Sequence, residues 1–176
     1  EGGDHVDSAF SRNWRESGRA GMLRGAYHFY NFCKTGAEQA DNFIRTAPAE
    51  SGALPPTIDL ERSGSCPRMP RVKEFREQLS VFIEEVRRTY GKRPILYATL
   101  EVYESYLQGW SDADRLWMTS ASGSPEFPKD QDWIIWQHTD RGRVDGVPYR
   151  VDMNVFNGTA EQLSALADPE TALASK

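Results

Sequence analysis

Two hydrophobic periods alternate along the chain. Short, nearly continuous apolar runs occur at Ala26-Tyr-His-Phe-Tyr30, Thr57-Ile-Asp-Leu-Glu61, Pro94-Ile-Leu-Tyr-Ala98, Leu116-Trp-Met118, Trp133-Ile-Ile-Trp136 and Val151-Asp-Met-Asn-Val155. Several are bounded by Gly or Pro, and all are too apolar for a strand with one wet face, so they predict buried strands. Between them the apolar spacing widens to three or four. Thr35, with Glu38 three residues on, reads as a helix cap, followed by Ala37, Ala40, Phe43, Ile44 and Ala47. Val72, Phe75, Leu79, Phe82, Ile83, Val86 and Tyr90 predict a helix over 70–90, with Gly91 as its stop. A further helix is predicted around 101–107. Thr159 with Gln162 caps a short last one, and 168–176 reads as a C-terminal tail.

Strand–helix alternation of this kind implies a largely parallel sheet covered by helices. An open doubly wound sheet and a closed (β/α) barrel both satisfy it. No Gly-x-Gly-x-x-Gly or phosphate-binding loop follows a strand, and polar side chains end several different strands, which favours the α/β barrel. Composition narrows the function. The 176 residues carry 21 basic and 26 acidic side chains, a net charge of −5, which argues against a generic nucleic-acid binder. No apolar run approaches the roughly 18 residues of a membrane span, and Glu1-Gly-Gly-Asp-His5 shows no signal peptide.

Asp59 and Glu61 are the strongest chemical signal. Residues i and i+2 of a strand project from the same face, about 6–7 Å apart. Two such carboxyls in a confined site are pushed to different pKa values, one acid and one anion, which is the division of labour that glycoside hydrolysis needs. Asp152 is a second acid among apolar strand neighbours. His28 and Tyr97, on local grounds, read as core residues. His5, His28 and His138 lack metal-ligand spacing and there is no Cys-x-x-Cys pair, so no metal is expected. Five tryptophans and seven tyrosines suit a sugar-binding groove. Trp133 and Trp136, three apart, face opposite sides of a regular strand, so at most one lines such a groove. Cys33 and Cys66 each follow a strand, and a disulfide and two free thiols remain equal alternatives. No Gly-x-Ser-x-Gly is present.

In order along the chain, Glu1-Gly-Gly-Asp4, Gly25-Ala-Tyr-His-Phe-Tyr30, Gln39-Ala-Asp-Asn-Phe43, Leu54-Pro-Pro-Thr-Ile-Asp-Leu-Glu61, Pro94-Ile-Leu-Tyr97, Leu116-Trp117, Trp136-Gln-His-Thr-Asp140 and Val151-Asp-Met-Asn154 resemble the glycoside hydrolase family 25 muramidases. The resemblance implies an irregular (β/α) TIM-like barrel over 1–167. It also implies cleavage of the β-1,4 bond between N-acetylmuramic acid and N-acetylglucosamine in peptidoglycan, without metal or organic cofactor. It casts Glu61 as general acid and Asp59 as the neighbouring carboxylate that stabilises the oxocarbenium ion or orients the acetamido group. Asp152 joins the catalytic set, and Glu1, His28, Tyr97 and Trp136 are cast as groove-lining residues. The family places two strands, one bearing a further Asp, ahead of the segment matching Glu1, so the barrel is expected to be incomplete at its N-terminus. A monomer acting on glycan strands outside the cell or in the envelope, and possible phage origin, accord with the family. The competing readings are a glycan-binding remnant without catalysis and an open-sheet α/β hydrolase of another small molecule.

Overall fold

The computed structural model describes residues 1–64, 66–120 and 132–168. The C-terminal tail expected at 168–176 therefore lies, from 169 on, outside the described residues. Six strands, β1 (Tyr27–Phe29), β2 (Thr57–Leu60), β3 (Ile95–Thr99), β4 (Leu116–Thr119), β5 (Trp133–Gly142) and β6 (Val151–Phe156), form one sheet in sequential order. β1 to β5 are parallel neighbours, and β6 runs antiparallel to β5. Each predicted strand is present. The reversal at β6 has a simple cause, because only residues 143–150 join it to β5. A parallel return needs a crossover of a dozen or more residues.

Among the described residues five helices accompany the sheet: α1 (Phe10–Arg19), α2 (Gly36–Thr46), α3 (Val72–Tyr90), α4 (Leu100–Val102), which runs on as a π-helical turn through Tyr103–Leu107, and α5 (Ala160–Ala165). The caps read in the sequence are formed. Thr35 with Glu38 and Thr159 with Gln162 make reciprocal capping boxes, and Gly91 ends α3 in the left-handed conformation at φ 65°. α1 has no counterpart in the apolar periodicity, since none of its residues is buried. Its signal is the pair Phe10 and Trp14 one turn apart, whose rings stack at 5.8 Å, with the Arg24 guanidinium 4.6 Å from the Trp14 ring.

The core lies between one face of the sheet and helices α2 and α3. Ile58 and Leu60 of β2, Leu96 and Ala98 of β3, and Leu116 and Met118 of β4 point into it, against Leu79, Phe82 and Val86 of α3. Tyr30, Phe32, Phe75 and Tyr106 fill its upper end, with Phe32 and Phe75 stacked at 4.9 Å. α2 approaches α3 at Gly36, where a Cβ would stand 1.8 Å from the carbonyl oxygen of Gln78. Cys33, after β1, is bonded to Cys66, after β2, so the two loops at the carboxyl end of neighbouring strands are tied together. The alternative of free thiols is thereby removed.

Candidate active site

The alternation that sends Ile58 and Leu60 into the core sends Thr57, Asp59 and Glu61 out of the opposite face. They open into a groove of about 540 Å³ that every strand helps to line. β1 contributes Tyr27, β3 contributes Tyr97 and Thr99, and β4 contributes Trp117 and Thr119. β5 contributes Gln137, Thr139 and Asp140, and β6 contributes Asp152. Tyr27 and Asp152 stand on opposite edge strands yet line one groove, so the sheet is strongly curled.

Four carboxylates, Asp59, Glu61, Asp140 and Asp152, face this space, and among the described residues no lysine or arginine does. Asp59 sits deepest. Its Oδ1 is buried without a hydrogen-bond donor among the described residues. Burial first, then the charges of Glu61 and Asp152, push its carboxyl up to about 7 from an ordinary 3.8. Burial likewise raises the Tyr97 phenol, whose hydroxyl lies within hydrogen-bonding reach of Glu61 and Thr119. The Tyr97 ring meets Trp117 edge to face at 5.5 Å, and Trp117 donates its indole N–H to Asn154 Oδ1 at 2.9 Å. This bond reaches across β5 and fixes the aromatic wall to the strand that carries Asp152. The burial of Tyr27 that remains, together with the carboxylates around it, raises its phenol too.

Four of the residues singled out from sequence thus converge: Asp59, Glu61, Tyr97 and Asp152. Three do not reach this groove. His28 points the other way from Tyr27 and lies in the core, 2% exposed, against Phe43 and Phe82, with Nε2 3.3 Å from Gln39 Oε1. Burial lowers its pKa to about 4, so it is a neutral core histidine. Glu1 borders a different cavity, between α1, α2 and β1.

Trp136 is turned to the opposite side of β5 from Gln137, and its indole N–H is buried without an acceptor among the described residues. The expectation that Trp133 and Trp136 face opposite sides also fails, for their rings touch at 6.5 Å. Leu116 pairs with Trp133 but Trp117 with Ile135, so an extra residue in β5 breaks the period of two. Sequence reasoning missed Tyr27, Thr57, Thr99, Trp117, Thr119, Gln137, Thr139 and Asp140 as groove residues. Tyr27, Thr57, Thr99, Trp117, Thr119 and Gln137 share with Asp59 one parity in the strand register.

The family model for glycosyl hydrolases family 25 matches residues 1–147. An uncharacterized Escherichia coli K12 protein, YegX, is 37% identical over 168 residues, 96% of this chain and 60% of its own length. Lysozyme M1 of Streptomyces globisporus is 30% identical over 182 residues, again 96% of this chain and 61% of that one. This chain therefore spans about 60% of the length of these relatives. Among solved structures, a family 25 glycosyl hydrolase from Bacillus anthracis superposes with a TM-score of 0.84 at 36% identity, covering 93% of this chain and 77% of that one. The lysozyme of Streptomyces coelicolor gives 0.85 at 28% identity, covering 95% and 82%.

Proposed function

The chain belongs to glycosyl hydrolase family 25, and from that premise we propose that its groove hydrolyses the β-1,4 bond between N-acetylmuramic acid and N-acetylglucosamine in peptidoglycan. The observation that carries this reading is the convergence of Asp59, Glu61 and Asp152 between aromatic walls, with no cation lining the groove among the described residues and one carboxyl held up at about 7. A sugar polymer without charge in its backbone suits such a groove, because tyrosine and tryptophan faces stack on the apolar faces of pyranose rings.

In this reading Glu61 gives its proton to the glycosidic oxygen, and Asp59 faces the sugar that becomes cationic or holds its acetamido group. Asp152 adds negative charge on the far wall. Burial, then the charges of Glu61 and Asp152, let Asp59 hold a proton up to about pH 7. In the empty groove the deeper Asp59 keeps it. In the productive form it passes to Glu61 as the glycan binds, and above about pH 7 Asp59 has none to pass, so turnover should decline as pH rises through that value. Tyr97, in reach of Glu61, holds that carboxyl toward the leaving group. The peptidoglycan substrate places the site of action in the envelope or outside the cell.

The test is release of reducing ends from purified peptidoglycan. Wild type should release them, and Glu61→Gln should lower the rate by about 10²–10⁴. Equal rates for the two proteins would remove Glu61 as the acid. Glycan retained without any cleavage would assign the groove to binding alone.

A further inference from the structure

The β5–β6 hairpin carries a second charged surface that the hydrolytic reading leaves unused. Gln137 pairs with Thr119, the last residue of β4, so residues 138–142 continue past the end of the neighbouring strand. At about 3.3 Å per residue they rise about 17 Å from the rim, on the side where Asp59 and Glu61 sit. The arm is braced from within. Val147 donates its backbone N–H to the Val144 carbonyl around Gly146 at φ 84°, and the Arg150 guanidinium donates to the Arg141 carbonyl at 3.0 Å.

Its surface reverses the sign of the groove. Between residues 141 and 151 stand Arg141, Arg143 and Arg150 against the single acid Asp145, in a chain of net charge −5. Arg141 approaches Asp140 only at 3.7 Å with its side chain 81% exposed, and among the described residues Arg143 pairs with no carboxylate. Such exposed cations keep most of their hydrogen-bonding capacity for a ligand. Tyr149, 78% exposed beside them, offers an amphipathic ring. The four carboxylates below repel anions, so the groove and the arm together fit a polymer with a neutral backbone and acidic side branches.

We propose that this arm binds the carboxylates of the peptide stems that branch from the glycan held in the groove. The identity of the ligand rests on the peptidoglycan reading of that groove. The arm orients the polymer so that peptide-bearing sugars turn toward β5 and β6, and it makes stem peptides a determinant of affinity.

The experiment measures binding of the Glu61→Gln protein to insoluble sacculi freed of phosphate polymers, either with their peptides or after an amidase has removed them. About tenfold tighter binding to the peptide-bearing form is expected. Arg141→Ala, Arg143→Ala and Arg150→Ala combined should erase that preference, and the three Arg→Lys changes should restore most of it. Raising the salt to 1 M, where charges are screened beyond about 3 Å, should also erase it.

Equal binding to both sacculi, or a preference that survives the alanine changes, overturns the proposal. So does a preference that returns only with phosphate polymers. Reducing-end release by wild type is scored separately. Cleavage without arginine-dependent binding sinks the arm alone, whereas arginine-dependent binding without cleavage sinks the hydrolytic reading alone.

Discussion

At the scale of single residues, the groove is built at a cost to stability, and Asp59 shows it most directly. An aspartate whose carboxyl is raised from 3.8 to about 7 is disfavoured as an anion in the folded protein. In the unfolded chain it ionises above 3.8, so folding loses stability as pH rises from about 4 to 7 and gains nothing back above that. Asn at this position keeps the shape without the charge. Asp59→Asn should therefore raise stability at pH 8 by about 2–4 kcal/mol, after allowance for partial exposure, and change it little at pH 4. Urea unfolding at the two pH values checks this, and a variant less stable than wild type at pH 8 would refute the electrostatic account. Activity should fall in the same variant, since a charge that costs stability in the empty groove is the charge proposed to act on the substrate.

At the scale of elements, the architecture depends on a few close approaches. α2 packs on α3 only because position 36 has no side chain, and its backbone N–H is taken by the Gln78 side chain at 2.9 Å. Gly36→Ala should push the helices apart and cost about 1–3 kcal/mol, read as a lower denaturation midpoint with an unchanged slope. The elements were largely legible in advance, because β2, β3, β4 and α3 each obey a single period and their caps and stops are local. What escaped has local causes too. α1 buries none of its residues, so it writes no stripe into the sequence. The extra residue in β5 silently exchanges which tryptophan faces which side.

The site was legible where it lay within one strand, as with Asp59 and Glu61. It was not where parity had to be known across strands, as with Trp117 and Gln137. His28 shows the opposite error. Its matching segment pointed to the groove, but its position beside Tyr27 turns it into the core.

At the scale of the whole molecule, Asp59 and His28 set opposing pH responses. His28 is held near 4 in the folded protein but takes a proton below about 6.5 once unfolded, so its contribution is present above 6.5 and is lost as pH falls toward 4. Asp59 loses stability over nearly the same window in the other direction. Each amounts to about 2–4 kcal/mol, and their sum leaves wild type with a nearly flat profile between pH 4 and 7. His28→Gln should uncover the Asp59 slope, with stability falling as pH rises, and Asp59→Asn should uncover the reverse. Thermal midpoints across that range decide it, and parallel profiles for the two variants would dismiss the pairing.

The bond between Cys33 and Cys66 reaches into practice at the same scale. It closes a span of 33 residues that contains Asp59 and Glu61, and its loss should cost about 3–4 kcal/mol. Reductant should therefore lower the melting temperature of the intact protein, with no such response in Cys33→Ser. Protein drawn from a reducing cytosol and protein drawn from an oxidising compartment are then different samples. A thiol titration belongs beside every rate measured on them.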